Sequence, residues 1–456
     1  MDQGIGIERT TRQVSPQVLW IFISVTVFSL AGTRLAAIAV PWYVLTTTGS
    51  PALTGVVAFA ELAPYVVVKA LSGPLIDRIG PIPVSVVSGT LSVLGIAAIP
   101  ALHGTGMLSY PMLVALVVFI GILRAPGDGA KATLVPVVAV ASGASLEKVS
   151  GAYGAVDRLA ATLGAALGGL VIAAVGGATA LWLTVGAFTL DVLVAGLLLG
   201  PRVACVDLRS GAPEGCTSYF GRLREGWRFL RGDSVLVAII AVLAVTNMLE
   251  QAFGVALAPM WALQTGGGPA ALGFLFAVAS ASSVLGAIVA AGLGERLPRR
   301  TVYIGAYLLV GLPRFAVLAI GAPLPVTLTV LAIGGFAAGF INPILGAVIV
   351  ERIPGHLMGR VNTLAMACAW ALLPVGGLVG GLLVTGLGLG PALWTVGIAY
   401  VLVTMSPTLM PAWRLIDRRR RTLTPAGPPC AAADGLPESS RVQGSTPRQP
   451  ARSPQP

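Results

Sequence analysis

Two carboxylates, Glu250 and Glu61, lie inside long apolar runs, where a carboxylate can exchange a proton, hold a cation or brace neighbouring segments. An ionisable group near the middle of a hydrocarbon layer costs at least ~2.5–3.5 kcal/mol on insertion scales, so each needs a partner or a wet cavity. Glu250 is the first candidate for proton coupling. Burial favours its neutral form and a nearby cation its charged form, so a change in either moves the proton. The alternative is a static ion pair that holds helices in register. Glu61 is the second candidate, with no cation one helical turn away. Arg34, Arg124, Gln251 and Asn342 occupy other apolar runs and are candidates for the wall of a substrate cavity. Asp157-Arg158 reads as a local structural pair, and Asp191 is compatible with either role.

Other chemistry finds few residues to work with. The 456 residues include two histidines and four cysteines, without an H-E-x-x-H, a C-x-x-C or a G-x-x-x-x-G-K-[ST] phosphate loop. No catalytic or metal-binding residue, no cofactor and no ATP site is therefore expected. Cys205, Cys216 and Cys430 fall in polar stretches and Cys368 in an apolar run, which implies no disulfide framework.

The elements that must carry these residues are helices. The chain is 55 % hydrophobic and 10 % charged, and its mean hydropathy is +0.88. Twelve apolar runs of membrane-spanning length occur between residues 18 and 412, and lipid admits such runs only as helices or closed barrels. The expected class is an all-α integral membrane protein of twelve transmembrane helices in two pseudo-symmetric six-helix bundles. The duplication is visible in residues. Gly73–Gly80, with Asp77 and Arg78, is echoed by Gly292–Arg300, with Glu295 and Arg296, and Asp77 and Glu295 stand 218 positions apart. Gly168-Gly169-Leu170 returns as Gly380-Gly381-Leu382, and Lys148-Val149 as Arg360-Val361, both 212 positions on. Arg34 and Glu250 are 216 apart, which places them at similar depth, and Arg124 and Asn342 are 218 apart. The divisions read as a segment 1–17, a bundle 18–200, a linker 201–233, a bundle 234–412 and a disordered tail 413–456. The linker has Tyr219, Phe220, Leu223, Trp227 and Leu230 at helical spacing with arginines between them, the pattern of an amphipathic helix on a membrane surface.

Charge placement sets the orientation. The connections 46–50, 103–109, 176–177, 264–269, 321–324 and 387–390 contain no Lys, Arg, Asp or Glu. The alternate connections carry Arg78, Lys131, Lys148, the Arg222–Arg231 group, Arg296, Arg299, Arg300, Arg352 and Arg360. By the positive-inside rule both termini are cytoplasmic. The net charge of +11 lies beside helix ends, where it meets the lipid bilayer's anionic headgroups rather than nucleic acid.

Gly73-Pro74-Leu75-Ile76-Asp77-Arg78-Ile79-Gly80 resembles the loop motif between helices two and three of the major facilitator superfamily (MFS). Ala39-Val40-Pro41-Trp42, Gly164-Ala165-Ala166-Leu167-Gly168-Gly169, Glu225-Gly226-Trp227-Arg228-Phe229-Leu230 and Gly359-Arg360-Val361 resemble that superfamily's drug:proton antiporter family 3 branch, with its macrolide-efflux and Tap-type multidrug exporters. Two positions depart from the pattern: Pro81-Ile82 replaces a basic pair, and Ala165 replaces the proline of the helix-five signature.

The resemblance implies that helices one, four, seven and ten line a central cavity, with Arg34 and Glu250 facing each other across it. It also implies that Asp77, Arg78, Glu295, Arg296 and Arg360 form a cytoplasmic latch, with Asp77 near the helix that begins at Gly359. Gly164, Gly168 and Gly169 read as a helix-packing seam. Pro64, Pro343 and Pro374 read as bends, and Trp42, Met248, Phe253, Met260 and Trp261 as pocket or packing residues. The function implied is export of drug-like small molecules against protons at a bacterial inner membrane, by a monomer. An exporter of one endogenous product, such as a siderophore or self-made antibiotic, is the alternative. A non-transporting sensor with the same fold is the reading from another class.

Overall fold

In a computed structural model, residues 15–203, 219–293, 298–354, 357–410 and 413 are described, and every regular element among them is helical. The first half comprises α1 (Gln17–Thr48), α2 (Pro51–Leu71), the short α3 (Gly73–Ile79), α4 (Pro81–Gly104), α5 (Tyr110–Ser142), α6 (Leu146–Val175) and α7 (Gly177–Leu193). A π-helical turn (Val194–Leu199) continues α7 into α8 (Gly200–Val203). The linker helix is α9 (Tyr219–Gly232). The second half starts with α10 (Ser234–Ala252), a π-helical turn (Phe253–Leu257) and α11 (Ala258–Gln264). It continues through α12 (Gly268–Leu293), α13 (Arg299–Val310), α14 (Leu312–Ala319) and α15 (Leu324–Arg352). It ends in α16 (Met358–Trp370), α17 (Leu373–Leu387) and α18 (Leu389–Met405).

Local chemistry explains the ends. The Ser50 hydroxyl accepts from the Leu53 N–H and Pro51 opens α2, while the Ser145 hydroxyl caps α6. Asp233 accepts from the Val235 and Leu236 N–H groups at the start of α10 and also pairs with Arg352 of α15 at 2.9 Å. Gly49 and Gly143, at φ 65° and 68°, end α1 and α5 in the left-handed conformation that costs a side chain most. Two spans are broken within their length. Pro313 separates α13 from α14, and Pro374 separates α16 from α17, each lacking the N–H that would continue the ladder. The bend expected at Pro374 is thus a full interruption. Pro64 and Pro343 lie inside continuous helices.

Eleven helical stretches among the described residues are long and apolar enough to cross a membrane. The thirty-residue α6, whose first half carries Glu147, Lys148, Asp157 and Arg158, falls outside that set. Val87 and Leu94 of α4 and Leu285 and Ile288 of α12 stand exposed, the outward apolar face a lipid-embedded helix needs. Lys131 is not in a connection as its charge suggested. It lies inside α5 and is buried, because Asp191 of α7 neutralises it there. Trp413 is buried against the Tyr303 ring of α13, so the second bundle extends past residue 412. The remainder of the tail, the segment 1–14, and Glu295 and Arg296 lie outside the described residues.

Among the described residues the halves meet closely at the end carrying the turns near Ser50, Gly176 and Gly388. A Cβ on Gly55 of α2 would overlap the Gly377 carbonyl of α17, and one on Gly381 would overlap that of Pro51. On the other flank, a Cβ on Gly169 of α6 would collide with the Gly273 backbone of α12. Both seams are backbone against backbone, which small residues allow. Gly164 and Gly168 face inward to α1, resting on Arg34 and on Leu35 and Ile38. The expected packing seam therefore serves two neighbours, one in each half.

Candidate functional site: ion pairs inside the spans

Spacing comes first. Glu61, Tyr65 and Lys69 recur every four residues on α2, and Arg124 and Asp128 are four apart on α5, so each set shares one helix face. Gly121 lets the two faces approach, since a Cβ there would overlap the Glu61 carbonyl. Arg124 Nη1 donates to Glu61 Oε1 at 3.1 Å, and its Nε lies 3.6 Å from Asp128 Oδ2. The Tyr65 hydroxyl donates to Asp128 Oδ2 at 3.0 Å and accepts from Lys69 Nζ at 3.0 Å. Arg124 stacks over the Tyr65 ring at 5.0 Å. Lys69 Nζ lies 5.0 Å from the Trp370 ring of α16, so the network begins in one half and ends in the other.

A second cluster lies deeper in the same half. Lys131 Nζ donates to Asp191 Oδ2 and to the Ser29 hydroxyl of α1, with Lys131 8 % and Asp191 2 % exposed. A third pair, Arg34 Nη2 to Asp157 Oδ1 at 3.0 Å, joins α1 to α6 and stays half-exposed. In the second half Arg314 forks onto Glu250, Nη1 to Oε2 at 2.9 Å and Nη2 to Oε1 at 2.6 Å. Its guanidinium carbon stands 5.0 Å from the Phe253 ring, 4.5 Å from Phe315 and 5.0 Å from Tyr400. The Pro313 interruption begins α14 one residue earlier and so sets Arg314 in its first turn. Bidentate geometry and aromatic faces are what guanidinium offers over ammonium.

These partners correct several expectations. Arg34 and Glu250, expected to face each other across a cavity, are each matched inside their own half, to Asp157 and Arg314. Glu61 does have a cation, Arg124, which comes from another helix rather than from one turn along its own. Asp157 reaches across to α1 instead of serving only its neighbour Arg158. Gln251 is half-buried, its Cβ against Gly376 of α17, and Asn342 is exposed on α15. Asp77 and Arg78 are exposed on α3, which is anchored by Ile76 packed with Val84 and Ala130. Arg360 lies in the first turn of α16, with its side chain outside the description. Trp42, Phe253 and Trp261 are core residues.

Sequence reasoning missed Asp128 and Arg314. Both left a trace: an Arg-x-x-x-Asp step within an apolar run, and an arginine immediately after a Gly-x-Pro break.

The arrangement is cations and carboxylates matched across helices, with the Tyr65 and Ser29 hydroxyls among them, able to hold or pass protons and to re-pair as helices move. Comparison with known proteins bears on the family and the fold. The family described as "Major Facilitator Superfamily" matches residues 22–255 and 240–429. The multidrug efflux pump Tap of Mycobacterium tuberculosis is 30 % identical over 402 residues, covering 87 % of this chain and 94 % of that protein. Its namesake in Mycolicibacterium fortuitum is 29 % identical over 411 residues, covering 90 % and 98 %. Among solved structures, the nucleoside transporter NupG superposes with a TM-score of 0.69 at 12 % identity, covering 88 % of this chain and 98 % of that one. A D-xylose-proton symporter gives 0.63 at 15 % identity, covering 86 % and 97 %.

Proposed function

The chain belongs to the Major Facilitator Superfamily, and from that premise we propose that it exports drug-like small molecules across the bacterial inner membrane in exchange for protons. The observation that carries a transport cycle is the close meeting of the halves through Gly55, Gly377 and Gly381 on one flank and Gly169 and Gly273 on the other. Two bundles joined at one end can rock to join at the other. Counting α6 as a span gives twelve helices and cytoplasmic termini, with the arginine-rich connections inside. On that orientation the glycine seams lie toward the external end.

Asp77, Arg78 and Arg360, with Glu295 and Arg296 of the repeat, are the proposed latch that closes the cytoplasmic end in the opposite state. Glu250 and Glu61 remain the coupling candidates of the sequence, and Glu250 has the more open side chain, 41 % exposed against 19 %. The proposed carrier works as a monomer, since one chain supplies both bundles. Relatives named as multidrug pumps favour broad drug export over a single endogenous product.

The test is proton release from inside-out vesicles on addition of macrolides, tetracyclines, aminoglycosides and lipophilic cations. Release in the native protein is the expected result, and its loss in Glu250→Gln or Glu61→Gln would make that carboxylate the coupling group. Inserted protein that gives no signal with any compound would remove general drug export.

A further inference from the structure

We propose that Asp128 is the group that takes up and gives back the exchanged proton, through a one-water cavity that it shares with Asp191. The inference rests on the antiport reading above and names the residue that performs it.

A cavity of about 20 Å³ lies between α4, α5 and α7, lined among others by Ser85, Ser92, Arg124, Asp128, Lys131 and Asp191. That volume admits about one water, and the wall offers the polar partners a buried water requires. Asp191 gives Oδ2 to Lys131, while its other oxygen, Oδ1, is buried without a hydrogen bond. An acceptor buried that deeply calls for a donor, and the adjoining cavity has room for a water that could supply one.

Three carboxylates of this network differ in how firmly their charge is held. Asp191 is locked to a buried ammonium. Glu61 receives a direct hydrogen bond from Arg124. Asp128 has that guanidinium at 3.6 Å, beyond a hydrogen bond, and otherwise a neutral phenol. It is also 22 % exposed and lines the cavity. The charged groups around it are Glu61 and Lys69 of α2, Arg124 and Lys131 of α5 and Asp191 of α7, with the Arg34–Asp157 pair of α1 and α6 beyond them. Glu61, Asp128 and Asp191 balance Lys69, Arg124 and Lys131, so one added proton leaves one uncompensated positive charge.

The step is simple in atoms. A hydronium ion gives its proton to a carboxylate oxygen of Asp128, forming an O–H bond and leaving water. The Tyr65 hydroxyl then faces a neutral acid in place of an anion, and Lys69, which donates to that phenol, loses its nearest diffuse counter-charge. Because Lys69 rests on Trp370 in the other half, proton occupancy is felt across the seam between the bundles.

The test is acid titration of purified full-length protein in lipid nanodiscs, followed by infrared difference spectroscopy. The absorbance of a protonated buried carboxyl should form in the native protein and in Glu250→Gln, be lost in Asp128→Asn, and return at a shifted frequency in Asp128→Glu. A band that survives Asp128→Asn overturns the proposal. In proteoliposomes, Asp128→Asn should lose ethidium accumulation driven by a pH difference while keeping ethidium-for-ethidium exchange. Loss of both in a variant that is folded by thermal melting makes Asp128 part of the scaffold and overturns it too. Native protein that titrates at Asp128 yet moves no ethidium, tetracycline or macrolide keeps the proton site and removes the export reading.

Discussion

Arg314 is held by two hydrogen bonds to one carboxylate and by three aromatic faces, and it is 11 % exposed on its side chain. Breaking such a pair leaves a cation stranded. Glu250→Gln should destabilise the protein by about 3 kcal/mol, the lower end of the range for buried pairs because Glu250 keeps some contact with water. The double variant Glu250→Gln/Arg314→Met should recover most of that loss. Thermal unfolding in detergent of the two singles and the double checks it, and a double no more stable than Glu250→Gln would contradict a stranded charge. The candidate residues were legible as residues, since an ion in an apolar run announces itself. Their partners were not. A run of twenty apolar residues fixes that a helix crosses, but not its rotation, so it does not say which neighbour Arg34 or Glu61 meets. Only Arg124 and Asp128, four apart on one helix, were pairable by spacing alone.

Helices were legible for the reason that hydrocarbon leaves the backbone no other option, and the runs near 53–75 and 82–102 match α2 and α4 within a few residues. Interruptions were harder to see. Pro374 interrupts its span and Pro64 does not, although both stand inside apolar runs of spanning length. The π-helical turn at Phe253–Leu257 left no sign in composition at all. Such a turn takes up one extra residue while the flanking α-helices stay in phase. Removing Gly254, which has open space beside it, should therefore return the turn to regular α-helix. The expected outcome is near-native expression and melting temperature for that deletion, with Glu250 and Trp261 still facing their partners. Removing Ile240 from the regular stretch of α10 should unfold the protein, since every later residue would rotate by about a third of a turn. Equal losses from both deletions would show that the turn holds no slack.

Duplication set the gross plan as an expectation: two halves, a basic linker, a polar tail. What repetition could not convey is which end of the bundles is shut, because both alternating states have the same sequence. That is a balance of contacts, and here it rests on glycine. Gly55→Leu forces a side chain into the Gly377 carbonyl and should prop the sealed end open. A single cysteine at Ala271, 9 % exposed near that end of α12, should be protected from an external thiol reagent in an otherwise cysteine-free chain. It should become reactive when Gly55→Leu is added, and continued protection would mean the seam does not hold that end closed. There is a longer consequence. A gate made of main-chain atoms has no side-chain chemistry for selection to tune, while the walls between the bundles are made of little else. Exposure to a new toxic compound can therefore remodel the walls by point mutation and leave the machinery of opening untouched. Breadth of cargo and fidelity of cycling are heritable separately, and a lineage can gain one without risking the other.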